Sequence, residues 1–371
     1  MSFGSWARDR LAAIDEAGQR RTIVDLDTWG PVGRLSDGRE VVSFASNDYL
    51  GLTTHPDVIQ GARDALTRWG AGAGAARLIV GARPVHRELE EEIARWKGTE
   101  AALLFPTGFA ANVGVLGTFG TDEVTIHSDA LNHASVIDGC RAASASVAVF
   151  PHLDIDALEA DLAATHTRSI VVTDLVFSMD GDAAPLPRLK STCRDTGALL
   201  ITDEAHAVLP FDDGGPDVEW LRVGTLSKFL GASGGFVAGS RDMVDLLINT
   251  ARPFIFTTAT SPADAGAALA SLRIVRSDEG RHLVGRLRAL VDRIAPGHPS
   301  PVIPFVTGSE ASALDAAAGL LERGLLVPAI RPPSVPEGAS RLRVTLSAQH
   351  TDDQVDRLVD ALDALGVALD A

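Results

Sequence analysis

Lys228 stands in a run of glycines and other small residues, VGTLSKFLGASGGFVAG, at positions 223–239. Small residues permit tight turns and close backbone approach, so a long cationic side chain among them needs an explanation. The lysine follows the strand-like segment WLRVGTL and should emerge at the carboxyl edge of a sheet. A lysine that is removed from water can act as a nucleophile or base. Lys228 is therefore a candidate catalytic residue, with a solvated surface lysine as the alternative.

A carboxylate and a histidine follow a second apolar segment, LLITDEAHAVLP. Asp203 comes directly after LLIT, where a charge is costly unless it meets a cation, which could be a metal ion, a lysine or a protonated heterocycle. Asp203 and His206 alone offer too few ligands for a metal site, and a structural ion pair remains possible. The third interpretation combines the acid with Lys228, because pyridoxal phosphate (PLP) requires a lysine that forms a Schiff base and a carboxylate on its ring nitrogen.

Two further segments are compatible with such a cofactor. FPTGFAAN places Thr107, Gly108 and Phe109 between a strand and a helix, where backbone N–H groups can bind a phosphate. In IHSDALNHASVIDG, His133 could lie flat on a ring, although a lone histidine more often caps a helix or packs in a core. The sequence therefore contains candidate residues for contacting the ring of PLP, for binding its phosphate and for forming the covalent link to it.

Short apolar runs alternate with helical patterns from about residue 101 to residue 239. The runs that read as strands are AALLFP, ASVAVFP, SIVVTD, ALLITDEAH, WLRVGTL and GGFVAG. Apolar strands separated by helices predict an α/β domain whose mostly parallel sheet is covered on both faces. Ligands of such sheets bind beyond the carboxyl ends of the strands, where the candidate residues are expected.

The remaining elements predict a second, smaller unit. PVIPFVTG and SRLRVTLSAQH read as strands, and ALDAAAGLLERG and TDDQVDRLVDALDAL read as helices, which together predict a small α+β C-terminal domain. A long helix from about residue 261 to residue 294 is expected to join the two units. The predicted divisions are an N-terminal helix and arm (1–45), a large domain (46–270), and a linking helix with the small domain (271–371).

Composition excludes several classes of partner. The chain has 371 residues, 33 basic against 49 acidic, and a formal net charge of −16, which argues against a nucleic-acid backbone or an anionic membrane as its partner. The first 21 residues read as a charged amphipathic helix without the apolar core of a secretory signal, and no segment has the length of a membrane span. The expected location is the cytoplasm. Cys140 and Cys193 support neither a disulfide framework nor a structural zinc site.

The order of motifs from Asn47 to the C-terminus resembles the α-oxoamine synthase family, PLP-dependent enzymes of fold type I, the aspartate-aminotransferase fold. The motifs that carry the resemblance are NDYLGL, GAGAGAARLIVGARPVHRELE, PTGFAAN, SDALNHASVIDG, FSMDGDAAPL, DEAH, GTLSKFLGASGGFVAG, ARPFIFTTA and VPAIRPPSVPEGASRLRVTLSAQHT. The resemblance implies PLP as the cofactor and a homodimer. It also explains the small residues around Lys228, which would let a flat cofactor and a facing subunit come close.

The resemblance implies a role for each matching residue. Lys228 would carry the cofactor, Asp203 would face the pyridine nitrogen and His133 would stack on the ring. Arg331 would bind the carboxylate of the amino-acid substrate, a task suited to a guanidinium group. The other implied contacts are Ser178 and His206 near the phenolic oxygen, Gly108, Phe109 and Thr225 at the phosphate, Thr257 or Thr258 reaching that phosphate from the neighbouring subunit, and Asn47 beside the substrate.

Within the family, AIRPPSVPEGASRLRVTLSAQHT resembles the members that join L-alanine to pimeloyl-coenzyme A or a pimeloyl-acyl carrier protein in biotin biosynthesis. Three departures from the usual pattern concern the acyl region: Ser334 replaces a threonine, Val80 replaces a serine, and residues 207–209 and the positions after them replace a glycine-rich segment. The far carboxylate of a pimeloyl chain needs a polar or cationic partner. Arg20 or Arg21 is a candidate, with a solvated helix end as the alternative.

Three rival functions remain to be compared with this interpretation. A sister α-oxoamine synthase would use glycine, serine or another acyl chain, and the altered segment after His206 is compatible with it. A non-catalytic homologue would act as a partner subunit, but retention of Lys228, Asp203, His133 and Arg331 argues against that. A nicotinamide-dependent dehydrogenase is disfavoured because GAGAGA lacks the preceding strand, the spacing and the downstream acid of a dinucleotide fingerprint.

Overall fold

The structure is a computed structural model that describes residues 2–16, 18–214 and 217–369. The chain divides into two compact units. The larger unit consists of Ser46–Ile303 and Thr345–Asp352, and the smaller unit consists of Met1–Ala45, Pro304–Val344 and Asp353–Ala371. This division differs from the predicted one in that residues 1–45 belong to the smaller unit and the predicted boundary at residue 270 falls inside a helix of the larger unit.

Strands and helices alternate through most of the chain. The strands are β1 Leu26–Trp29, β2 Val32–Leu35, β3 Glu40–Ser43, β4 Ala101–Phe105, β5 Val124–Asp129, β6 Ser146–Phe150, β7 Arg168–Asp174, β8 Leu199–Asp203, β9 Trp220–Thr225, β10 Gly235–Gly239, β11 Val302–Gly308, β12 Leu325–Leu326, β13 Ala329–Ile330 and β14 Ser340–Thr345. The α-helices are α1 Phe3–Glu16, α2 Pro56–Trp69, α3 Pro84–Lys97, α4 Gly108–Phe119, α5 Ala134–Ala142, α6 Ile155–Ala164, α7 Leu186–Thr196, α8 Arg241–Thr250, α9 Arg252–Ile255, α10 Pro262–Val275, α11 Asp278–Ile294, α12 Glu310–Glu322 and α13 Asp352–Ala364.

The larger unit contains a seven-stranded sheet in the order β4-β10-β9-β8-β7-β5-β6. The pairs from β9 to β6 are parallel, whereas β10 runs antiparallel to both β4 and β9. Consecutive apolar residues of β7 belong to different core clusters, Val172 with helices α4 and α5 and Val171 with helices α6 and α7. The predicted mostly parallel sheet, covered on both faces, is therefore confirmed.

The strand β5, which lies between β7 and the edge strand β6, is absent from the sequence-based prediction. Its sequence, VTIHSD, interrupts the apolar pattern with Thr125, His127 and Ser128, so it does not read as a buried parallel strand. This segment forms a strand because it pairs in parallel register with both β6 and β7. Tertiary pairing therefore overrides a weak local pattern.

The predicted long helix near residues 261–294 is wrong in one respect, because it consists of two helices, α10 and α11. Ser277 caps α11, and its hydroxyl accepts a hydrogen bond from the backbone N–H of Gly280. A Cβ on Gly280 would lie 2.4 Å from the carbonyl oxygen of Ile274, so glycine permits the sharp turn. The start of α11 could have been predicted from the local sequence, because a serine followed by two acidic residues is typical of a helix start.

The smaller unit is of the predicted α+β kind but includes the N-terminal strands. One of its sheets has the order β1-β2-β3-β12, in which β3 pairs in parallel with β12. The second sheet has the order β11-β14-β13. The prediction of a separate N-terminal arm failed because the pairing of Val42 with Leu325 joins segments far apart in sequence.

Three general features bear on the expectations from composition. Within the described ranges, no helix is both long and apolar enough to cross a membrane. In the same ranges, no cluster of three or more histidine, cysteine or acidic side chains is arranged to hold a metal ion. Cys140 and Cys193 are buried free thiols.

Candidate active site

Three aspartates lie at the carboxyl ends of neighbouring parallel strands. Asp129 ends β5, Asp174 ends β7 and Asp203 ends β8. Asp174 and Asp203 are direct partners in the register of β7 and β8, and all three side chains are buried. The predicted placement of Asp203 at this edge is confirmed, whereas Asp129 and Asp174 are additional acids that the sequence analysis did not identify.

Lys228 lies three residues after the end of β9, in a turn that leads to β10. Gly231 and Gly234 in this turn have φ values of 59° and 136°, which favour glycine. A cavity of about 230 Å³ lies beside the lysine. Seven of the predicted site residues line it: Gly108, Phe109, His133, Asp203, His206, Thr225 and Lys228.

His206 contacts the candidate lysine directly. Its Nε2 lies 2.8 Å from the Nζ of Lys228, and its Nδ1 is hydrogen-bonded to the hydroxyl of Tyr49. The same hydroxyl lies 3.2 Å from the Oδ1 of Asn47. Asn47, Tyr49, His206 and Lys228 therefore form one chain of polar contacts. Tyr49 was missed, although it is the single tyrosine of the sequence and stands in the NDYLGL motif.

Asp203 is held by two hydrogen-bond donors. Its Oδ2 accepts a bond of 2.6 Å from the Nδ2 of Asn112, and its Oδ1 accepts one of 2.9 Å from the backbone nitrogen of Ala205. Asn112 also donates to Ser135, which lies 2.7 Å from the Nδ1 of His133. Both carboxylate oxygens of Asp203 therefore have a hydrogen-bond donor from the protein, which fixes the orientation of the side chain. The supporting residues Asn112 and Ser135 were missed because they are ordinary polar residues within helices.

His133 caps a helix and borders the cavity, and its stacking on the cofactor ring stays a prediction. It caps helix α5, where its Nδ1 accepts a hydrogen bond from the backbone nitrogen of Ser135, and it also lines the cavity. Burial lowers the pKa of His133, and the nearby carboxylate of Asp203 offsets only part of this effect. The imidazole is therefore neutral near pH 7, which suits a ring that stacks on a heterocycle.

The start of helix α4 forms a cradle for an anion. Thr107 caps the helix through a hydrogen bond from the backbone nitrogen of Ala110, so the first backbone N–H groups point outwards at the positive end of the helix dipole. A Cβ on Gly235 would lie 2.5 Å from the nitrogen of Gly108, and one on Gly108 would lie 3.4 Å from the Cβ of Thr225. Only a glycine at position 235 permits this close approach, because a Cβ on Gly108 would make an ordinary van der Waals contact. The donor set, the acid at β8 and the lysine together fit PLP.

Several predicted site residues lie outside this cavity. Ser178 is half-buried in a turn after β7. Thr257 and Thr258 follow α9, beside Phe256, whose side chain is 71% exposed. None of these three predicted residues lines the cavity of its own chain. The predicted action of the two threonines across a subunit boundary stays a prediction.

The predicted substrate-binding arginines belong to the smaller unit. The Nη1 of Arg331 donates to the carbonyl oxygen of Gly18 at 2.6 Å and lies 3.8 Å from a carboxylate oxygen of Glu310. Arg21 donates to the hydroxyl of Ser334 at 3.3 Å, and Arg20 forms an exposed ion pair with Asp15 at 3.2 Å. The structure therefore brings Arg21 and Ser334 together, while their roles towards a substrate stay predictions.

The departures from the family pattern have different environments. Val80 is 70% exposed in a π-helical turn at Arg77–Gly81. Residues 207–209 contribute to a second cavity of about 460 Å³, which Leu50 and Phe229 also line. The segment after His206 therefore supplies apolar side chains to a cavity that Arg95, Asp213 and Arg222 also line, so the cavity is mixed in character.

A buried ion cluster supports the segment that carries Asp203 and His206. Glu204 pairs with Lys97 at 2.6 Å and with the Nε of Arg222 at 2.5 Å, and all three side chains are buried. Removal of one partner would leave an uncompensated buried charge. The chain has three lysines. Lys97 belongs to this cluster and Lys190 donates to the carbonyl oxygen of Asp213, whereas Lys228 lines the cavity.

His152 connects two aspartates at the same edge of the sheet. Its Nδ1 lies 2.9 Å from Asp129 and its Nε2 lies 2.8 Å from Asp182, in the segment that follows β7. Burial lowers the pKa of His152, but the hydrogen bonds to Asp129 and Asp182 more than offset it and raise the pKa to about 10. The imidazolium therefore fixes the loop that contains Ser178.

The raised pKa of His152 predicts a pH-dependent stability. Because the folded-state value exceeds the unfolded value of about 6.5, its contribution should be complete below pH 6.5 and decline as pH rises towards about 10. We expect His152→Asn to lower the urea midpoint of the holoenzyme at pH 6 and to lower it less at pH 10. His282→Asn, at an exposed site, is the control. An equal loss at both pH values would contradict the ion-pair assignment.

The fold and the cavity define a class of protein. A mostly parallel seven-stranded sheet presents a lysine, an acid at a neighbouring strand end and an anion cradle at one edge, which is the arrangement of a fold type I PLP-dependent enzyme. The comparison with protein families agrees, because the chain matches the model of the family "Aminotransferase class I and II" over residues 39–362.

Individual relatives narrow the class. The chain is 45% identical to the 8-amino-7-oxononanoate synthase of Anaeromyxobacter dehalogenans, over 97% of this chain and 95% of that protein. Among solved structures it is similar to the Sphingomonas wittichii serine palmitoyltransferase, with a TM-score of 0.89, 30% identity and coverage of 98% and 97% of the two chains. A serine palmitoyltransferase solved with its PLP internal aldimine has a TM-score of 0.88 at 27% identity, over 98% of each chain.

The chain therefore belongs to the class I and II aminotransferase family, within which it is a PLP-dependent α-oxoamine synthase. The resemblance, the fold class and the cofactor predicted from the sequence are confirmed. The individual roles of the site residues are not decided by these similarities and depend on the geometry described above.

Proposed function

We propose that this enzyme catalyses the decarboxylative condensation of L-alanine with a pimeloyl thioester, carried by coenzyme A or an acyl carrier protein, in biotin biosynthesis. The observation that carries the proposal is 45% identity to an 8-amino-7-oxononanoate synthase along nearly the whole chain. The shared cavity of Lys228, Asp203, His133 and His206 supports it. The proposal includes a homodimer and a cytoplasmic location.

The residues that line the cavity would supply the contacts that the cofactor needs. Lys228 would carry it, Asp203 would pair with its ring nitrogen, His133 would stack on its ring, and the backbone of Gly108 and Phe109 with Thr225 would hold its phosphate. When bound, PLP supplies an electron sink for the negative charge that develops at the α-carbon of the amino acid. The ionised Asp203 strengthens that sink because it stabilises a positive charge on the ring nitrogen.

Lys228 and His206 are placed to move protons at the reacting carbon. The Nζ of Lys228 is the base in the cavity that would take the α-proton of alanine, and His206, at 2.8 Å, orients that amine. Tyr49 fixes the opposite side of the imidazole ring. His206 can then donate to the oxygen of the acyl carbonyl as the new carbon–carbon bond forms. The thiol leaves, the alanine carboxylate is lost as carbon dioxide, and Lys228 returns the proton.

Binding of the amino-acid carboxylate provides a test of Arg331. We expect Arg331→Ala to raise the dissociation constant of L-alanine about 30-fold or more, because a carboxylate would lose its guanidinium partner. The affinity for PLP should change little. The measurement is an absorbance titration of the PLP-loaded enzyme with L-alanine, with Arg323→Ala, on an exposed helix end of the same unit, as control. An equal loss of affinity for PLP and for L-alanine would count against Arg331 as the residue that binds the substrate carboxylate.

The homodimer can be tested through Thr257 and Thr258. A double valine variant at these positions should bind PLP about tenfold more weakly, because a hydrogen bond to a charged phosphate is lost. A mixed dimer of this variant with Lys228→Ala should regain one site of native affinity, since one cavity then combines Lys228 with threonines from the other subunit. A monomer in light scattering, or no regained affinity in the mixed dimer, would exclude the shared site.

The choice of amino acid distinguishes the proposal from a second candidate. The similarity to solved serine palmitoyltransferases, at a TM-score of 0.89, favours serine as the alternative substrate. Titration of the PLP-loaded enzyme with L-alanine, glycine and L-serine, followed by pimeloyl-coenzyme A or pimeloyl-acyl carrier protein, tests both. Tightest binding of L-alanine with release of 8-amino-7-oxononanoate supports the proposal. Preference for serine or glycine would assign the enzyme to a sister activity.

A further inference from the structure

A second carboxyl group lines the cavity beside Asp203. Asp174 is 4% exposed, and its Oδ2 accepts a hydrogen bond of 3.2 Å from the backbone nitrogen of His133. Asn132 fixes the strand end, because its Oδ1 accepts a bond of 2.8 Å from the backbone nitrogen of Asp174. The Oδ1 of Asp174 is buried and, within the described part of the chain, has no hydrogen-bond partner. A buried polar atom without a partner is costly unless a ligand satisfies it.

The surroundings of Asp174 keep its carboxyl group neutral. Burial raises its pKa well above the usual range, and the nearby charge of Asp203 adds to this effect. Lys228 and the bond from His133 act in the opposite direction, and Asp129 raises the pKa further. Two buried carboxyl groups side by side cannot both ionise at low cost, so one of them retains its proton. Both oxygens of Asp203 accept hydrogen bonds from the protein, whereas the Oδ1 of Asp174 has no partner in the described residues, so the proton belongs on Asp174.

The strand order indicates which part of the cofactor faces Asp174. The anion cradle consists of the start of α4 and Thr225 at the end of β9, and the ring nitrogen belongs to Asp203 at the end of β8. On the PLP ring, the phosphate arm and the phenolic oxygen lie on opposite sides of the axis through the ring nitrogen. A ring with its phosphate on the β9 side therefore presents its phenolic oxygen to β7, which ends in Asp174.

We propose that Asp174 is a cofactor-binding residue whose Oδ1 donates an O–H hydrogen bond to the phenolic oxygen of PLP. This assignment adds a contact to those predicted for Ser178 and His206. It depends on the cofactor and not on the proposed substrates, so the test uses the PLP-loaded enzyme without an amino acid or thioester. Failure of the alanine or pimeloyl assignment would leave it intact.

The test compares Asp174→Asn with Asp174→Ala. Asparagine can keep both contacts, with Oδ1 as the acceptor for His133 and Nδ2 as the donor, whereas alanine keeps neither. The readout is the pH at which the absorption band of the lysine-linked cofactor changes. The phenolic oxygen accepts a hydrogen bond from the protonated nitrogen that links the cofactor to the lysine. A second donor to that oxygen weakens this bond and so lowers the pKa of the nitrogen, which is the midpoint of the absorption change. We expect Asp174→Ala to raise the midpoint by about one to two pH units and Asp174→Asn to leave it within half a unit.

Other results would overturn the proposal. If Asp174 is ionised, both variants should lower the midpoint, because a negative charge that stabilises the protonated form is lost. If Asp174 does not contact the cofactor, neither variant should change it. Asp195→Asn, which removes an exposed carboxylate on helix α7 that does not line the cavity, is the control.

A second readout does not depend on absorption. The dissociation constant of PLP should rise about tenfold for Asp174→Ala and less than threefold for Asp174→Asn. An equal rise in both variants contradicts a donor role. Thermal midpoints of the cofactor-free proteins show whether each variant folds. If the alanine variant does not fold, Asp174→Leu, which is close to aspartate in shape but cannot donate a hydrogen bond, takes its place and should raise the midpoint by the same amount; an unchanged midpoint in Asp174→Leu would exclude the contact.

Discussion

Lys228→Ala is expected to lower turnover by at least about 10³-fold and to abolish covalent attachment of the cofactor. Two functions are lost together, the link to the cofactor and the base for the α-proton of the amino acid, and general base catalysis alone contributes about 10²-fold to 10⁴-fold. The Nζ of Lys228 lies 2.8 Å from His206, so the variant also leaves the imidazole without that contact. The remaining contacts should still bind PLP non-covalently, with a changed absorption spectrum.

The small number of lysines makes this prediction easy to check. Borohydride treatment of the wild-type enzyme should fix the cofactor on a single peptide that contains Lys228, one of three lysines in the chain. Lys190→Ala is the matched control, because Lys190 is bonded to the carbonyl oxygen of Asp213 and should not affect the labelling. Labelling of Lys97 or Lys190 in the wild-type enzyme, or residual turnover near the native rate in Lys228→Ala, would exclude the assignment.

Asp203→Asn is expected to reduce turnover by about 10²-fold to 10³-fold while PLP remains bound. An amide cannot stabilise the positive charge on the ring nitrogen as a carboxylate does, so the electron sink weakens although the shape of the site is kept. The variant should fold, because the Oδ1 of Asn112 is buried without a hydrogen-bond partner in the described ranges and can turn towards the new amide. The effect should therefore appear in the chemical step rather than in cofactor affinity.

Exchange of the α-proton of L-alanine in deuterium oxide, followed by NMR, measures this step without an acyl substrate. The exchange rate should fall by the same factor as turnover in Asp203→Asn, and exposed Asp195→Asn is the control for loss of a negative charge. Exchange near the wild-type rate would mean that Asp203 does not maintain the electron sink. Loss of PLP from the variant would instead assign Asp203 to cofactor retention.

The cofactor and the main candidate residues of its site could be predicted from the sequence alone. Apolar runs that end in Asp203 and in the segment before Lys228 identify parallel strands, and the carboxyl ends of such strands meet at one edge of a sheet. His133 and the start of α4 follow from motifs that begin helices, which are local signals. The position of each of these residues at a strand end or a helix start depends on its neighbours in the sequence, so it could be predicted without a structure.

Tertiary structure decided the contacts between residues that lie far apart in the chain. Tyr49 and His206 are 157 positions apart and Asn112 and Asp203 are 91 apart, and no local pattern indicates either pair. The same holds for the pairing of β3 with β12, which places the N-terminal segment in the smaller unit. The neutral carboxyl group of Asp174 is also a tertiary property, because its burial, its proximity to Asp203 and its unsatisfied oxygen arise only when β7 and β8 pair.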